Sequence, residues 1–224
     1  MTSNITKLHL SQTPASAQKD TCILSEAFST AVTDAGVLGF ILSQLGRSGG
    51  TLLWVQDRLS RKETGSPYLP GMHQKDIISV DVNRPLDVLW TMEEGLRCKA
   101  LSCVVGEIWG DPPALNFTAT KRLAMRAEAN KVPCWLIRRA ASPDLSAARD
   151  RWRIASLPSL PHAHDCHAPG APRWQVELFR SRTQPPGIWV AGYDRAADRL
   201  HFAAPFRDGT VAADNGSAGQ RGAR

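Results

Sequence analysis

Between Asp34 and Arg139 the chain repeats one unit: an apolar run short enough for a strand, then an amphipathic stretch long enough for a helix. Strands separated by helices form βαβ units and a mainly parallel sheet. The strand runs are nearly continuous in apolar residues instead of alternating, which fits a sheet covered on both faces. The expected class is therefore α/β.

The segment DAGVLGFILSQLGRSGG opens with Asp34 as a helix cap. Val37, Leu38, Ile41, Leu42 and Leu45 follow on one helical face, and Gly46, Gly49 and Gly50 end the helix. A strand is expected over Thr51–Val55, and the polar run QDRLSRKETGSPYLPG after it reads as a loop. The second strand is DIISVDV. Pro85 suits the first turn of the next helix, Leu89, Met92 and Leu96 form its apolar stripe, and Glu93 is spaced to pair with Arg97. LSCVVGEI from Leu101 is the third strand. A helix capped by Asn116 or Thr118 runs to near Asn130, and the fourth strand spans Pro133 to Arg138.

The character changes after Arg139. RWRIASLP, RWQVELFRSR, GIWVAGYD and RLHFAAP read as strands of an antiparallel extension or meander. In the second of these, Trp174, Val176 and Leu178 alternate with Gln175 and Glu177. The expected organisation is a flexible tail over 1–20, one domain over 21–205 and a flexible tail over 206–224.

Met1 to Asp20 lacks the basic and apolar regions of a secretory signal, and no apolar run approaches a membrane span. The five cysteines (Cys22, Cys98, Cys103, Cys134, Cys166) show no paired spacing. Cys98, Cys103 and Cys134 sit in apolar contexts and read as small core residues. These features lead to the expectation of a reduced, cytoplasmic protein without a membrane partner. The net charge of +6 suits either an anionic partner or a basic solvated surface.

A phosphate cradle of the type G-x-x-x-x-G-K-[ST] is expected after an early strand, and QDRLSRKETGSPYLPG follows Thr51–Val55, but no Gly-Lys-Ser/Thr occurs anywhere. Glu107 closes the strand VVGE at the edge where open α/β sheets bind ligands. It reads as a remnant or a hydrogen-bonding residue. Trp54, Trp135, Trp174 and Trp189 fall at apolar strand positions, whereas Trp109 is expected exposed at a strand end, as a contact residue. Arg138, Arg139, Arg149, Arg151 and Arg153 surround one connector, suited to phosphate or protein contacts, or else solvated beside Asp144 and Asp150. His162, His164, Cys166 and His167 are zinc-type ligands at a spacing too tight for one tetrahedral site, so they read as a connector. G-x-S-x-G and H-E-x-x-H are absent from the sequence. No catalytic, cofactor or metal site is expected.

The ordered series GFILSQLGRSGGTLLWVQDR, RPLDVLWTMEEGLRCKALSCVVGEIWG, NFTATKRLAMRAEANKVPCWLIRR, APGAPRWQVELFRSR and GIWV resembles the ImuA family over about residues 35–205. These are RecA-like bacterial proteins of damage-inducible mutagenesis cassettes. The resemblance implies a RecA-like domain without a Walker A loop, with VVGE in the place of the Walker B strand. The connector from Ala140 to Asp150 would stand in the place of a DNA-binding loop. It also implies a non-enzymatic adaptor of SOS-induced translesion synthesis. Its partners would be an ImuB-type polymerase-like protein and, indirectly, an error-prone polymerase, with weak contact to RecA or DNA and self-association. SulA-like cell-division inhibitors share such a frame and are the alternative. An ATPase with an unorthodox site at Arg58, Arg61, Lys62 and Gly65 is the third reading.

Overall fold

The computed structural model describes residues 23–45, 50–68, 76–162, 164–165 and 167–203. The two expected tails and Cys22 and Cys166 lie outside them. The described chain is α/β, with nine strands in one mixed sheet. In chain order the elements are β1 (Leu24–Ser29), α1 (Gly36–Leu45), β2 (Thr51–Asp57), α2 (Arg58–Thr64), β3 (Ile77–Val82), α3 (Pro85–Gly95), β4 (Leu101–Trp109), α4 (Phe117–Asn130), β5 (Cys134–Arg139), β6 (Asp150–Leu157), β7 (Arg173–Ser181), β8 (Gly187–Asp194) and β9 (Arg199–Ala203).

The strand order is β3-β2-β4-β5-β1-β6-β7-β8-β9. The first six strands run parallel and the last three fold back as an antiparallel meander. Two sequence expectations are corrected here. No local pattern marks β1, although it is a central strand. Its run LSEAFS carries Ser25 and Glu26 among its apolar residues, and its near-total burial depends on what β5 and β6 bring alongside. RWRIASLP was expected within the antiparallel extension. As β6 it pairs parallel with β1 on one side and antiparallel with β7 on the other, so it is the junction.

A third correction concerns the loop after β2. Arg58–Thr64 is a helix, α2, because Asp57 caps it: the Asp57 carboxylate accepts the Ser60 N–H at 2.6 Å. Asn116 caps α4 in the same way, through the Ala119 N–H at 3.0 Å. Pro85 occupies the first turn of α3 as expected.

The helices divide between the two faces. Val37, Phe40 and Ile41 of α1 pack with Ala27, Trp54, Val105, Ile137, Trp152, Trp174, Val176 and Trp189. Phe40 is the hub. Its ring centroid lies 5.5 Å from Trp152, 6.2 Å from Trp174 and 6.4 Å from both Trp135 and Phe202. Burying a ring of that size contributes about 1.5–3 kcal/mol, with edge-to-face contacts adding to it. On the other face Val88, Leu89, Met92 and Leu96 of the α3 segment pack with Leu123, Ala124 and Ala127 of α4 over Leu24, Val55, Val104 and Leu136. The four strand tryptophans expected in the core are there.

Two further expectations change. Cys103 and Cys134 are buried, but Cys98 is exposed, because its N–H closes a turn on Gly95 between α3 and β4. Glu93 does not pair with Arg97. It reaches across to α4, accepting Arg122 at 2.9 Å and lying 3.3 Å from Arg126, while Arg97 pairs with Glu94. Glu93 is buried on the α4 side of α3, so its partners come from the neighbouring helix and not from its own surface.

Candidate functional site: a filled crevice at the carboxyl edge

Open α/β sheets bind ligands where the chain's connections leave adjacent strands in opposite directions. Here two neighbouring pairs meet that condition, β2 with β4 and β5 with β1. From β1 the chain runs over α1 to β2, three places away, whereas from β5 it crosses β1 to reach β6. At β5 and β1 the carboxyl edge carries the Ser29–Gly36 turn, with Arg139 bonded to both that turn and Glu107. The sequence places the phosphate cradle after β2, at QDRLSRKETGSPYLPG. The turn after β1, STAVTDAG, stands at the second of these points.

That turn holds an acid where a phosphate would lie. The N-terminus of a helix attracts anions through its free N–H groups and dipole. At α1 the Asp34 carboxylate takes this position, accepting the Gly36 N–H at 2.7 Å. Ser156 on β6 holds the same carboxylate through its N–H (2.7 Å) and its hydroxyl (2.5 Å). Burial works against the charge of Asp34. The Ser156 and Gly36 bonds, together with the charge of Arg139, outweigh it and hold the carboxyl below its usual range. Gly36 is required for this approach: a Cβ there would stand 2.5 Å from the Ser156 hydroxyl and 3.0 Å from the Asp34 carboxylate.

Behind Asp34 the crevice is spanned by a buried polar chain. Arg139 at the end of β5 donates to the Asp34 carbonyl and, through Nε, to Glu107 at 2.8 Å. Glu107 also accepts the Gln56 amide at 2.7 Å and the Thr64 hydroxyl at 3.4 Å. Gln56 donates further to the Gly65 carbonyl at 3.1 Å. Arg139, Glu107 and Gln56 are all buried. The second Asp57 oxygen accepts the Trp109 N–H at 3.1 Å, which ties β2 to the end of β4. Trp109 itself is half-buried there, not exposed as expected.

The arginines expected around a connector separate into distinct environments. Arg138, Arg139 and Arg151 are buried, not solvated. On the α4 face Arg151 donates to Glu26 at 2.7 Å, and Arg138 lies 4.0 Å from the same carboxylate. The Ser146 hydroxyl completes Glu26 at 2.6 Å. Arg138 also bonds Asp111 at 2.5 Å. Both guanidinium groups lie over the Phe28 ring, and Arg151 and Arg153 lie over Phe179. Arg153 pairs with Glu177 and Arg149 with Glu128, both nearer the surface. Sequence reasoning missed Glu26, Asp34 and Gln56 as partners. The first two sit in or beside β1, which had not been recognised.

Asp150 gives a test of this interior. It is buried at the start of β6 and accepts the Ser181 hydroxyl at 2.7 Å. Burial raises its carboxyl above the usual range despite that bond. A carboxyl raised in the folded state contributes stability below its unfolded pKa of about 4, which is lost as pH rises through the folded value. Asp150→Asn keeps an acceptor for Ser181 and removes the charge. It is expected to melt higher than the parent at pH 7, with the difference vanishing near pH 3. A lower melting point at pH 7 would contradict the assignment.

His162 and His164 stack edge to face, with centroids 5.9 Å apart, in an exposed connector closed by a bridge between Pro161 and Pro169. Among the described residues no helix is long and apolar enough to cross a membrane.

The scan against protein-family models returned no match. Among curated proteins, Protein ImuA from each of two strains of Caulobacter vibrioides is 31% identical over 171 residues. The match covers 72% of this chain and 66% of each relative, so the chain spans slightly less than two thirds of their length. At 31% identity over 72% of its length, the chain belongs to the ImuA family.

Proposed function

We propose that the protein is a non-catalytic accessory factor of damage-inducible mutagenesis, working by protein contact in translesion synthesis. The observation that carries this reading is the filled crevice. Asp34 occupies the anion position of α1, and the Arg139–Glu107 pair spans the ground behind it. A nucleotide phosphate would meet the Asp34 carboxylate at like charge. A metal-bridging role for Glu107 would require it to give up a buried arginine. In this reading Glu107 is the structural remnant of a Walker B acid in a RecA-like frame. The partner is an ImuB-type polymerase-like protein, through which an error-prone polymerase is engaged. Arg149, Arg153 and Trp109 remain candidate contact residues of that assembly, being the members of the predicted set that are not fully buried.

The test is a pull-down of the purified full chain against the ImuB-type protein encoded in the same organism, with and without ATP. Equal binding in both conditions is expected. Binding that requires ATP, or saturable ATP binding abolished by Lys62→Ala, would replace the adaptor with an ATPase using the α2 segment. No binding in either condition would sink the adaptor reading.

A further inference from the structure

Cations without an ion pair occur at both edges of the sheet, but they are grouped differently. At the carboxyl edge of the sheet Arg61 pairs with Asp81, Arg84 with Asp87, Arg138 with Asp111 and Arg139 with Glu107, while Arg58, Arg173 and Arg199, without an ion pair among the described residues, stand far apart along the strand order. The opposite, amino edge differs. Arg97 and Lys99 stand in the turn that leads into β4. Lys131 is the left-handed C-cap of α4, just before β5. Arg149 lies beside the start of β1, its N–H donating to the Leu24 carbonyl. Arg182 follows β7 and donates its N–H to the Arg149 carbonyl, and Arg180 precedes it.

These residues follow the strand order β4-β5-β1-β6-β7. At about 4.8 Å per strand they form a file of roughly 19 Å. Glu94 neutralises Arg97 and Glu128 neutralises Arg149. The hydrogen bond from Arg149 is the main reason the Glu128 carboxyl stays below its usual range, and the charge of Arg182 adds only a weaker attraction. Among the described residues none of Lys99, Lys131, Arg180 and Arg182 has an ion-pair partner. Lys131 and Arg97 sit at helix C-termini, where cations offset the dipole. Arg180 and Arg182 sit at the end of a strand, where no helix dipole accounts for them.

We propose that this amino edge is a binding surface for the phosphate backbone of duplex DNA. A line of unmatched cations suits a polyanion with regularly spaced charge, and duplex DNA carries one charge per about 1.7 Å of axis. None of the cationic positions alternates with an exposed aromatic ring, the feature by which single strands are gripped through their bases. Contact is therefore to phosphates, without base reading. The surface lies on the edge opposite the filled crevice, and the proposal does not depend on the adaptor reading.

The experiment is fluorescence anisotropy of a labelled mixed-sequence duplex with the full-length chain, between 50 and 200 mM salt. Four phosphate contacts predict a slope of about −3.6 in log K against log salt, or roughly 150-fold weaker binding across that range. Two paired reversals, Lys99→Glu with Lys131→Glu and Arg180→Glu with Arg182→Glu, are each expected to lower the slope by about 1.8. The control pair Arg58→Glu with Lys62→Glu, at the carboxyl edge, is expected to change neither affinity nor slope. Circular dichroism melts identify any variant that fails to fold, and for such a pair Lys→Gln and Arg→Gln forms take its place. Absence of duplex binding by the parent, unchanged binding in both reversals, or equal loss in the control pair overturns the proposal. Tighter binding to a single strand of the same sequence, or displacement of the duplex by polyglutamate at equal charge concentration, overturns duplex DNA as the partner.

Discussion

Glu26→Ala is expected to lower the stability of the fold by about 3–5 kcal/mol, the cost of removing one partner from a buried ion pair. Glu26 is completely buried in the middle of β1. Its carboxylate is the anion that Arg151 bonds directly and that Arg138 faces at 4.0 Å. Both guanidinium groups are themselves buried, and each already has one nitrogen without a partner, Nε of Arg138 and Nη2 of Arg151. Water cannot replace Glu26 without opening the sheet between β5, β1 and β6. For a chain of this size the loss corresponds to a drop of about 6–20 °C in melting temperature. Glu26→Gln keeps an acceptor for Ser146 but not the charge, and is expected to fall nearly as far. The triple replacement Glu26→Leu, Arg138→Met and Arg151→Met removes the three buried charges at similar volume, leaves Asp111 partly exposed and bonded to the Ser142 N–H, and is expected to recover most of the loss. A change below about 1 kcal/mol in Glu26→Ala would mean that the cluster is hydrated and not part of the core.

Glu107→Ala is the second large effect, and it bears on function as well as stability. It leaves Arg139 buried with only the Asp34 carbonyl as a partner, and leaves the Gln56 amide with only the Gly65 carbonyl. The expected cost is again about 3–5 kcal/mol. If Glu107 serves only to hold β2, β4 and β5 together, pairing Glu107→Leu with Arg139→Met restores most of the stability. The same double variant should still capture the polymerase-like partner. A Glu107 that held a metal for nucleotide chemistry would behave differently: Glu107→Gln would fold normally and lose ATP-dependent binding. Comparing the melting curve and the pull-down of these variants separates a structural strut from a catalytic acid.

The same two acids show where the sequence was legible. Glu107 was identifiable because VVGE is a continuous apolar run with a charge at its end. Glu26 was not, because LSEAFS has neither a continuous apolar run nor a clean alternation, and its burial comes from strands more than a hundred residues away. Its partners, Arg138 and Arg151, were noticed as a basic cluster. Their fate depended on whether β5 and β6 flank a common strand, which no local pattern records. α2 was hidden for a related reason. Its polar residues look like a loop, and it forms because Asp57 caps it while Ser60 and Thr64 turn inward toward β2 and β4.

By itself the sequence determined the class of fold, the helices with an apolar stripe or a cap, the tryptophan core, the antiparallel end of the chain and the family resemblance. All of these are written in periodicity, capping residues and ordered motifs, and need only near neighbours or statistics of the chain. The tertiary structure alone decided that β1 is the central strand, that β6 is the parallel-to-antiparallel junction, and that three arginines lie inside. It also decided that Asp34 occupies the anion position at the start of α1, in the turn after β1. The physical reason is that charge burial and strand adjacency are properties of pairs far apart in sequence. A carboxylate and a guanidinium can be buried only together, and only the assembled sheet determines which ones meet.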